Sequence, residues 1–347
     1  MIKNIYLTFG IFACIFISCN STTNSDHNAS NADTTAKPTP NSDPLPSWND
    51  GASKKSIMDY VAAVTKEGSP DFIKEEDRIA TFDNDGTLWS EQPLYFQLFY
   101  ALDKVKSMAP QHPDWKAKEP FKSVLNNDMG GLMKQGSKAL MQVLAVSHAG
   151  MSSDEFESSV SKWIDTANHP TKKRHYNELV YQPMLELIKY LQNNHFKVFI
   201  VSGGGVEFMR AWAEKTYGIP KDQIIGSSLK ETFTNKDGKP TIEKEAVLDF
   251  MDDKEGKPVA IQKYIGRKPV FAGGNSDGDL QMLQWTASNS LKNFELYVHH
   301  TDSTREWDYD RTSKIGTFNI GYDEALAKKW TIVDMKNDWK VIYPFEK

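Results

Sequence analysis

Five short apolar runs, each cut off by a polar or glycine-rich turn, set the strongest limit on how this chain folds. They are Ile79–Phe82, Phe196–Val201, Gln223–Gly226, Pro269–Ala272 and Phe294–Val298. Runs this short suit strands buried on both faces better than helices. Helical patterns separate most of them: Met184, Leu185, Ile188 and Leu191 within Pro183–Asn194, and Met209, Trp212 and Ala213 within Val206–Tyr217, where Gly218 marks a stop. Strands alternating with helices predict an α/β fold, a doubly wound parallel sheet. In such a sheet a ligand sits beyond the carboxyl ends of the strands. That rule gathers Asp83–Thr87, Ser202–Gly205, Gly273–Asp279 and His299-His300 at one edge.

Between Ser90 and Tyr181 no comparable strand occurs. Leu94–Leu102, Leu140–Ala145 and Ser153–Trp163 read as helical, the last opened by Ser152 with Glu155 as a capping box. The expectation is a helical cap over residues 90–181, inserted after the first strand motif into a core of residues 48–89 and 182–347. Leu229–Ile242 reads as a hairpin turning at Lys236-Asp237-Gly238. Glu91, Gln92, Arg174 and His175 lie near the two ends of the cap, where a substrate is selected, and the sequence does not rank them.

Residues 1–19 carry Lys3 and an apolar run of roughly 13 residues, suited to a signal-peptide core rather than a spanning helix. Their ending, Phe16-Ile17-Ser18-Cys19, resembles the lipobox of bacterial lipoproteins, which implies a lipid anchor on Cys19 and export to the cell envelope, facing the periplasm. Residues 20–47 are almost wholly Asn, Ser, Thr, Asp, Ala and Pro, a disordered tether with a typical span of roughly 30 Å. The only cysteines, Cys14 and Cys19, belong to the leader, so no disulfide is expected in the body.

The chain has 347 residues and a net charge of −5 with both signs intermixed, which argues against a nucleic-acid partner and for a small ligand. The predicted site is a charge problem: Asp83, Asp85, Asp277 and Asp279 crowd one crevice, and carboxylates that close need a cation between them. Oxygen ligands without a Cys cluster or HExxH favour Mg²⁺ over zinc. Such a metal also admits a phosphate among carboxylates.

DNDGT at 83–87, a strand ending in VSGGG at 201–205, GKPVAIQKYIG at 256–266 and GGNSDGD at 273–279 together resemble the haloacid dehalogenase superfamily, phosphoserine-phosphatase-like branch. The resemblance implies Asp83 as nucleophile, forming an aspartyl-phosphate, and Asp85 as general acid, then base. It implies Ser202 and Lys257 as stabilisers of the phosphoryl charge, with Lys257 preferred over Lys263, and Thr87, Gly203 and Gly204 in the binding loops. The metal group would be Asp83, Asp85 through its carbonyl, Asn275 and Asp279, the last orienting the lysine. The chain departs from the family pattern in carrying Asn275 where an Asp is usual; an amide oxygen still binds Mg²⁺ but brings no charge. Asp277 is the candidate for the missing carboxylate.

These readings converge on a Mg²⁺-dependent hydrolase of a small phosphomonoester; phosphoserine is the nearest named possibility, and a phosphate on a choline, sugar or nucleoside fits equally well. A phosphotransferase on the same scaffold, or a ligand-binding lipoprotein with a decayed site, are the alternatives.

Overall fold

A computed structural model describes residues Asp43–Glu346; the predicted leader and residues 20–42 of the predicted tether lie outside the described residues. The strands are β1 (Ile79–Phe82), β2 (Lys197–Gly205), β3 (Ile224–Lys236), β4 (Lys239–Phe250), β5 (Phe271–Gly274), β6 (Phe294–Thr301), β7 (Asp308–Tyr309) and β8 (Thr331–Asp334). The helices begin with α1 (Ala52–Thr65), α2 (Phe96–Met108), α3 (Phe121–Leu125), α4 (Met129–Lys134), α5 (Ser137–His148), α6 (Ser153–Ile164) and α7 (Gln182–Asn193). They continue with α8 (Val206–Arg210), α9 (Ala213–Tyr217), α10 (Gly256–Tyr264), α11 (Leu280–Ala287), α12 (Ile320–Lys328) and α13 (Met335–Asp338).

The strands form one sheet in the order β4-β3-β2-β1-β5-β6-β7, with β8 also pairing β6. Pairing is parallel from β3 through β2, β1, β5 and β6 to β8, and antiparallel only at β3–β4 and β6–β7. All four residues of β1 are buried, because helices cover both faces of the central strand. From β1 the chain goes to β2 on one side and later to β5 on the other. The order therefore reverses at β1/β5, and the crevice opens beyond their carboxyl ends.

Eight strands replace the five expected. The expected hairpin is the far end of β3 and β4, and β3 is continuous with the run at Gln223–Gly226, so one strand serves both sheet and hairpin. The helix expected over Val206–Tyr217 is two short ones, broken where Trp212 stacks on Trp89 at 4.1 Å.

Residues between Ser90 and Tyr181 form helices without a strand, and their two ends run side by side. Ser90 N–H donates to Leu179 O at 3.0 Å and Tyr181 N–H to Leu88 O at 2.8 Å. The insertion is not a separate layer. On α2, Phe96 and Tyr100 join the main core, while Leu98, Ala101, Leu102 and Val105 face a second cluster with Phe121, Val124 and Val143. Helix α6 places Phe156, Val160 and Ile164 in the main core.

The tether expected to reach residue 47 ends earlier. Leu45, the single large apolar residue of that segment, is fully buried, and Asp43 Oδ2 lies 2.6 Å from Lys54 Nζ. Burying one leucine is worth ~2 kcal/mol. A chain shortened to begin at Trp48 is therefore expected to lose about that much stability relative to one beginning at Asp43, read as a lower urea midpoint with unchanged slope.

Candidate active site

The DNDGT segment leaves β1 and turns back at once. Asp83 N–H donates to Gly273 O at 3.0 Å, which locks the loop to β5, and Asn84 O accepts from Thr87 N and Leu88 N at 3.1 and 2.8 Å. Gly86 has φ +76°, and a Cβ there would collide with the side chains of Asn275 and Glu91. Only glycine lets the turn approach them. Asp85 is held by Trp89 Nε1, which donates to its Oδ1 at 2.7 Å.

Lys257, at the start of α10 and 1% exposed, reaches under this loop. Its Nζ lies 2.6 Å from Asp83 Oδ1, 2.7 Å from Asp279 Oδ1 and 2.8 Å from Val201 O. Lys263 is on the surface, beside the Tyr264 ring. Burial alone would lower the Lys257 pKa; the carboxylates of Asp279 and Asp83 override it and push it up. Burial, then repulsion from Asp279, pushes Asp83 well above the carboxylate range despite Lys257. Burial likewise raises Asp85 to about 6. One lysine thus faces more negative charge than it can neutralise.

Asp279 Oδ2 accepts from the backbone N–H groups of Asn275 and Ser276 at 2.9 and 3.0 Å. With Oδ1 on Lys257, both of its oxygens are engaged. It shapes the loop and orients the lysine, so the expectation of Asp279 in direct contact with a metal is corrected. Asp277 turns away as well: its Oδ1 accepts from Asn319 and Gly321 N–H at 2.9 and 2.8 Å, so it does not supply the missing carboxylate. Thr87 is fully buried and donates to Asn275 Oδ1 at 3.0 Å rather than facing the cavity, which corrects its assignment to substrate.

Ser202 is 1% exposed, and its Oγ accepts from Gly204 N–H at 3.1 Å. β2 continues to Gly205, so Gly203 and Gly204 are extended backbone at the cavity wall and not the first turn of a helix. Gly205 N–H donates to Gln97 Oε1 at 2.7 Å, and Gln97 Nε2 lies 3.1 Å from His148 Nε2. One cap glutamine thereby ties the strand end to α5. Burial lowers His148 to about 4, which leaves its ring neutral and able to accept from Gln97.

Two residues named in the sequence reading, His300 and Glu91, take supporting roles that it did not assign. His300 does not enter the crevice: it sits beneath the loop, its Nε2 donating to Gly86 O at 2.8 Å and its Nδ1 3.1 Å from Glu306 Oε2. Glu91, 2% exposed, accepts at Oε1 from Asn275 Nδ2 at 2.7 Å and from Tyr309 OH at 2.8 Å. A carboxylate six residues beyond Asp85 was the available signal, but only the fold brings position 275 to it.

Above this floor lies a cavity of about 300 Å³. Asp83, Asp85, Ser202 and Lys257 line its base, Leu98, Leu140, Met141 and Leu144 its cap wall, and Met251 and Asp253 one side. Lys257 is the only cation among its lining residues.

No cluster of three or more His, Cys, Asp or Glu side chains with metal-site geometry occurs among the described residues. The oxygens nevertheless suit a hard cation. Among the described residues Asp83 Oδ2 has no hydrogen bond, since Lys257 takes Oδ1, the Asp85 carbonyl accepts none, and Asn275 Oδ1 accepts one from Thr87 and keeps a second lone pair. One carboxylate, one carbonyl and one amide oxygen form a set that Mg²⁺, which keeps several waters, accepts. No helix of the described residues is long and apolar enough to cross a membrane.

Residues 80–284 match the family described as HAD: haloacid dehalogenase-like hydrolase. No curated protein matches the chain. Among solved structures, a protein of unknown function from Bordetella pertussis is 14% identical, over 74% of this chain and 98% of its own, with a TM-score of 0.46. A phosphoserine phosphohydrolase-like protein from Francisella tularensis is 18% identical over 74% and 94%, with a TM-score of 0.38. A cytosolic 5'-nucleotidase IIIB bound to cytidine is 12% identical over 71% and 77%, with a TM-score of 0.39.

Asp252, beside this site, is fully buried, and neither carboxylate oxygen has a partner among the described residues. Burial raises its pKa to about 7 from 3.8, with Lys257 countering in part. The folded state therefore holds this proton more tightly than the unfolded one. The associated stability, ~4 kcal/mol at most, is present below pH 4 and lost as the pH rises through 7. Asp252→Asn is expected to flatten this stretch of the stability profile and to raise the urea midpoint above wild type at pH 8.

Proposed function

We propose that this chain, which belongs to the haloacid dehalogenase-like hydrolase family, hydrolyses small phosphomonoesters with Mg²⁺. The observation that carries the reading is the pairing of Asp83 and Asp85 at the base of a cavity, with Lys257 against the first and an indole N–H against the second. A bound Mg²⁺, held by Asp83, the Asp85 carbonyl and Asn275, would neutralise the phosphoryl oxygens as they approach the carboxylates.

In the first step Asp83 attacks phosphorus and the bond to the leaving oxygen breaks, giving an aspartyl-phosphate and an alcohol. Asp85, whose pKa near 6 keeps a protonated fraction at neutral pH, delivers the proton that the alcohol needs. In the second step Asp85 takes a proton from water as that water attacks phosphorus, and Asp83 leaves as carboxylate. Trp89 Nε1 keeps Asp85 aimed in both steps, while Lys257 and Ser202 stabilise the transferred oxygens.

The walls narrow the choice of alcohol. A carboxylate on the alcohol would face leucines, methionines, Glu91 and Asp253, with no second cation among the lining residues to receive it, whereas the ammonium of phosphoserine would meet Glu91 and Asp253 as opposite charges. An unpaired charge there is costly. These walls favour an alcohol without net negative charge. A lipid anchor on Cys19 would hold the enzyme at the cell envelope, a reading supported by the residues around Cys19 alone.

Asp83→Asn is expected to lower turnover by ~10⁴-fold or more while circular dichroism remains native, since the change relieves repulsion and leaves Lys257 paired with Asp279. Retained turnover removes Asp83 as nucleophile. With Mg²⁺, n-butyl phosphate is expected to exceed the phosphate monoester of 4-hydroxybutyrate by ~10-fold or more in kcat/KM, the leaving alcohols being of similar reactivity. Cys19→Ser is expected to move the protein from the membrane to the soluble fraction of expressing cells.

A further inference from the structure

Asn275 raises the question of where the negative charge of this site went. The neutral amide stands at the end of β5, 1% exposed, and its orientation is fixed from both sides. Thr87 Oγ1 donates to Oδ1 at 3.0 Å, and Nδ2 donates to Glu91 Oε1 at 2.7 Å. A carboxylate at position 275 would meet Glu91 as a like charge at hydrogen-bond distance. The asparagine and the glutamate are therefore matched to one another.

Glu91 is built into place. Tyr309 OH is its second donor, at 2.8 Å, and Tyr309 stacks on His300 with ring centroids 4.3 Å apart. The carboxylate lies between Gly86 and Gly316, both at positive φ, and a Cβ on either glycine would occupy the space of Oε1. Oε2 forms no hydrogen bond among the described residues, yet Glu91 lines the cavity beside Asp83 and Asp85. Its second oxygen opens on the cavity, where a cation beside Asp83 would meet it.

We propose that Glu91 supplies the charge that Asn275 lacks, so that a single aspartate is divided between two residues: the amide gives the neutral oxygen and the glutamate the negative charge. This rests on the metal-dependent reading above. Glu91 positions the amide through Nδ2 and Thr87 takes one lone pair of Oδ1, which leaves the other for the cation, and the glutamate lowers the potential at the site. It comes from the start of the cap insertion, whereas Asn275 belongs to the core, so the cation site would join the two.

The test is Mg²⁺ affinity by calorimetry, with Mn²⁺ binding by electron paramagnetic resonance, on the purified full chain and on Glu91→Gln, Asn275→Asp and the double variant. Loss of such a supporting group costs 10–100-fold in metal affinity. Glu91→Gln is expected to bind Mg²⁺ ~10–100-fold more weakly, and Asn275→Asp added to it is expected to restore wild-type affinity. Unchanged affinity in Glu91→Gln, no restoration in the double variant, or no binding by wild type overturns the proposal. If Glu91→Gln alone does not fold, the double variant must bind at least as tightly as Asn275→Asp; weaker binding overturns it. Metal binding without phosphate release would remove the phosphatase reading and leave this one standing.

Discussion

A single buried ammonium organises this molecule. Lys257 draws Asp83 at the end of β1, Asp279 at the start of α11 and the Val201 carbonyl of β2 to one point. These segments lie far apart in the chain and meet only because the sheet order reverses beside β1. Removing one partner of a buried ion pair typically costs 3–5 kcal/mol, far more than a surface pair contributes. The same contact that fixes the strand ends relative to one another also holds a carboxylate ready to attack. Stability and reactivity here share atoms, and the excess of negative charge that remains is the chemical reason for expecting a cation.

The fold was largely legible because its signals are local. Ile79–Phe82 and Phe294–Val298 are continuous apolar runs, and a strand buried on both faces must read that way. β7 and β8 escaped because two- and four-residue edge strands with half-exposed side chains carry no such run. The break at Trp212 escaped because the residue keeps the apolar helical spacing, and its stacking on Trp89, 123 positions away, is visible only in the fold.

The site divides along the same line. Asp83, Asp85, Ser202 and Lys257 stand in motifs whose spacing can be read directly. What surrounds them cannot. Thr87 seemed a loop residue for substrate, but its hydroxyl is spent on Asn275; Asp277 stood in an acidic motif, but it caps backbone amides near α12. Glu91 and His300 touch the motif loop from the cap junction and from β6. Such long-range hydrogen bonds leave no periodicity behind.

The insertion is rooted through Phe96, Tyr100 and α6 in the main core, while α5, which contributes Leu140, Met141 and Leu144 to the cavity, rests on the smaller cluster. The chemical floor and the wall that meets the alcohol therefore draw on different hydrophobic reserves. Substitutions along α5 can reshape that wall at little expense to the floor. A scaffold partitioned in this way can diverge in what it recognises while its reaction is inherited intact, which makes α5 the segment where descendants of such a chain would record their changes of diet.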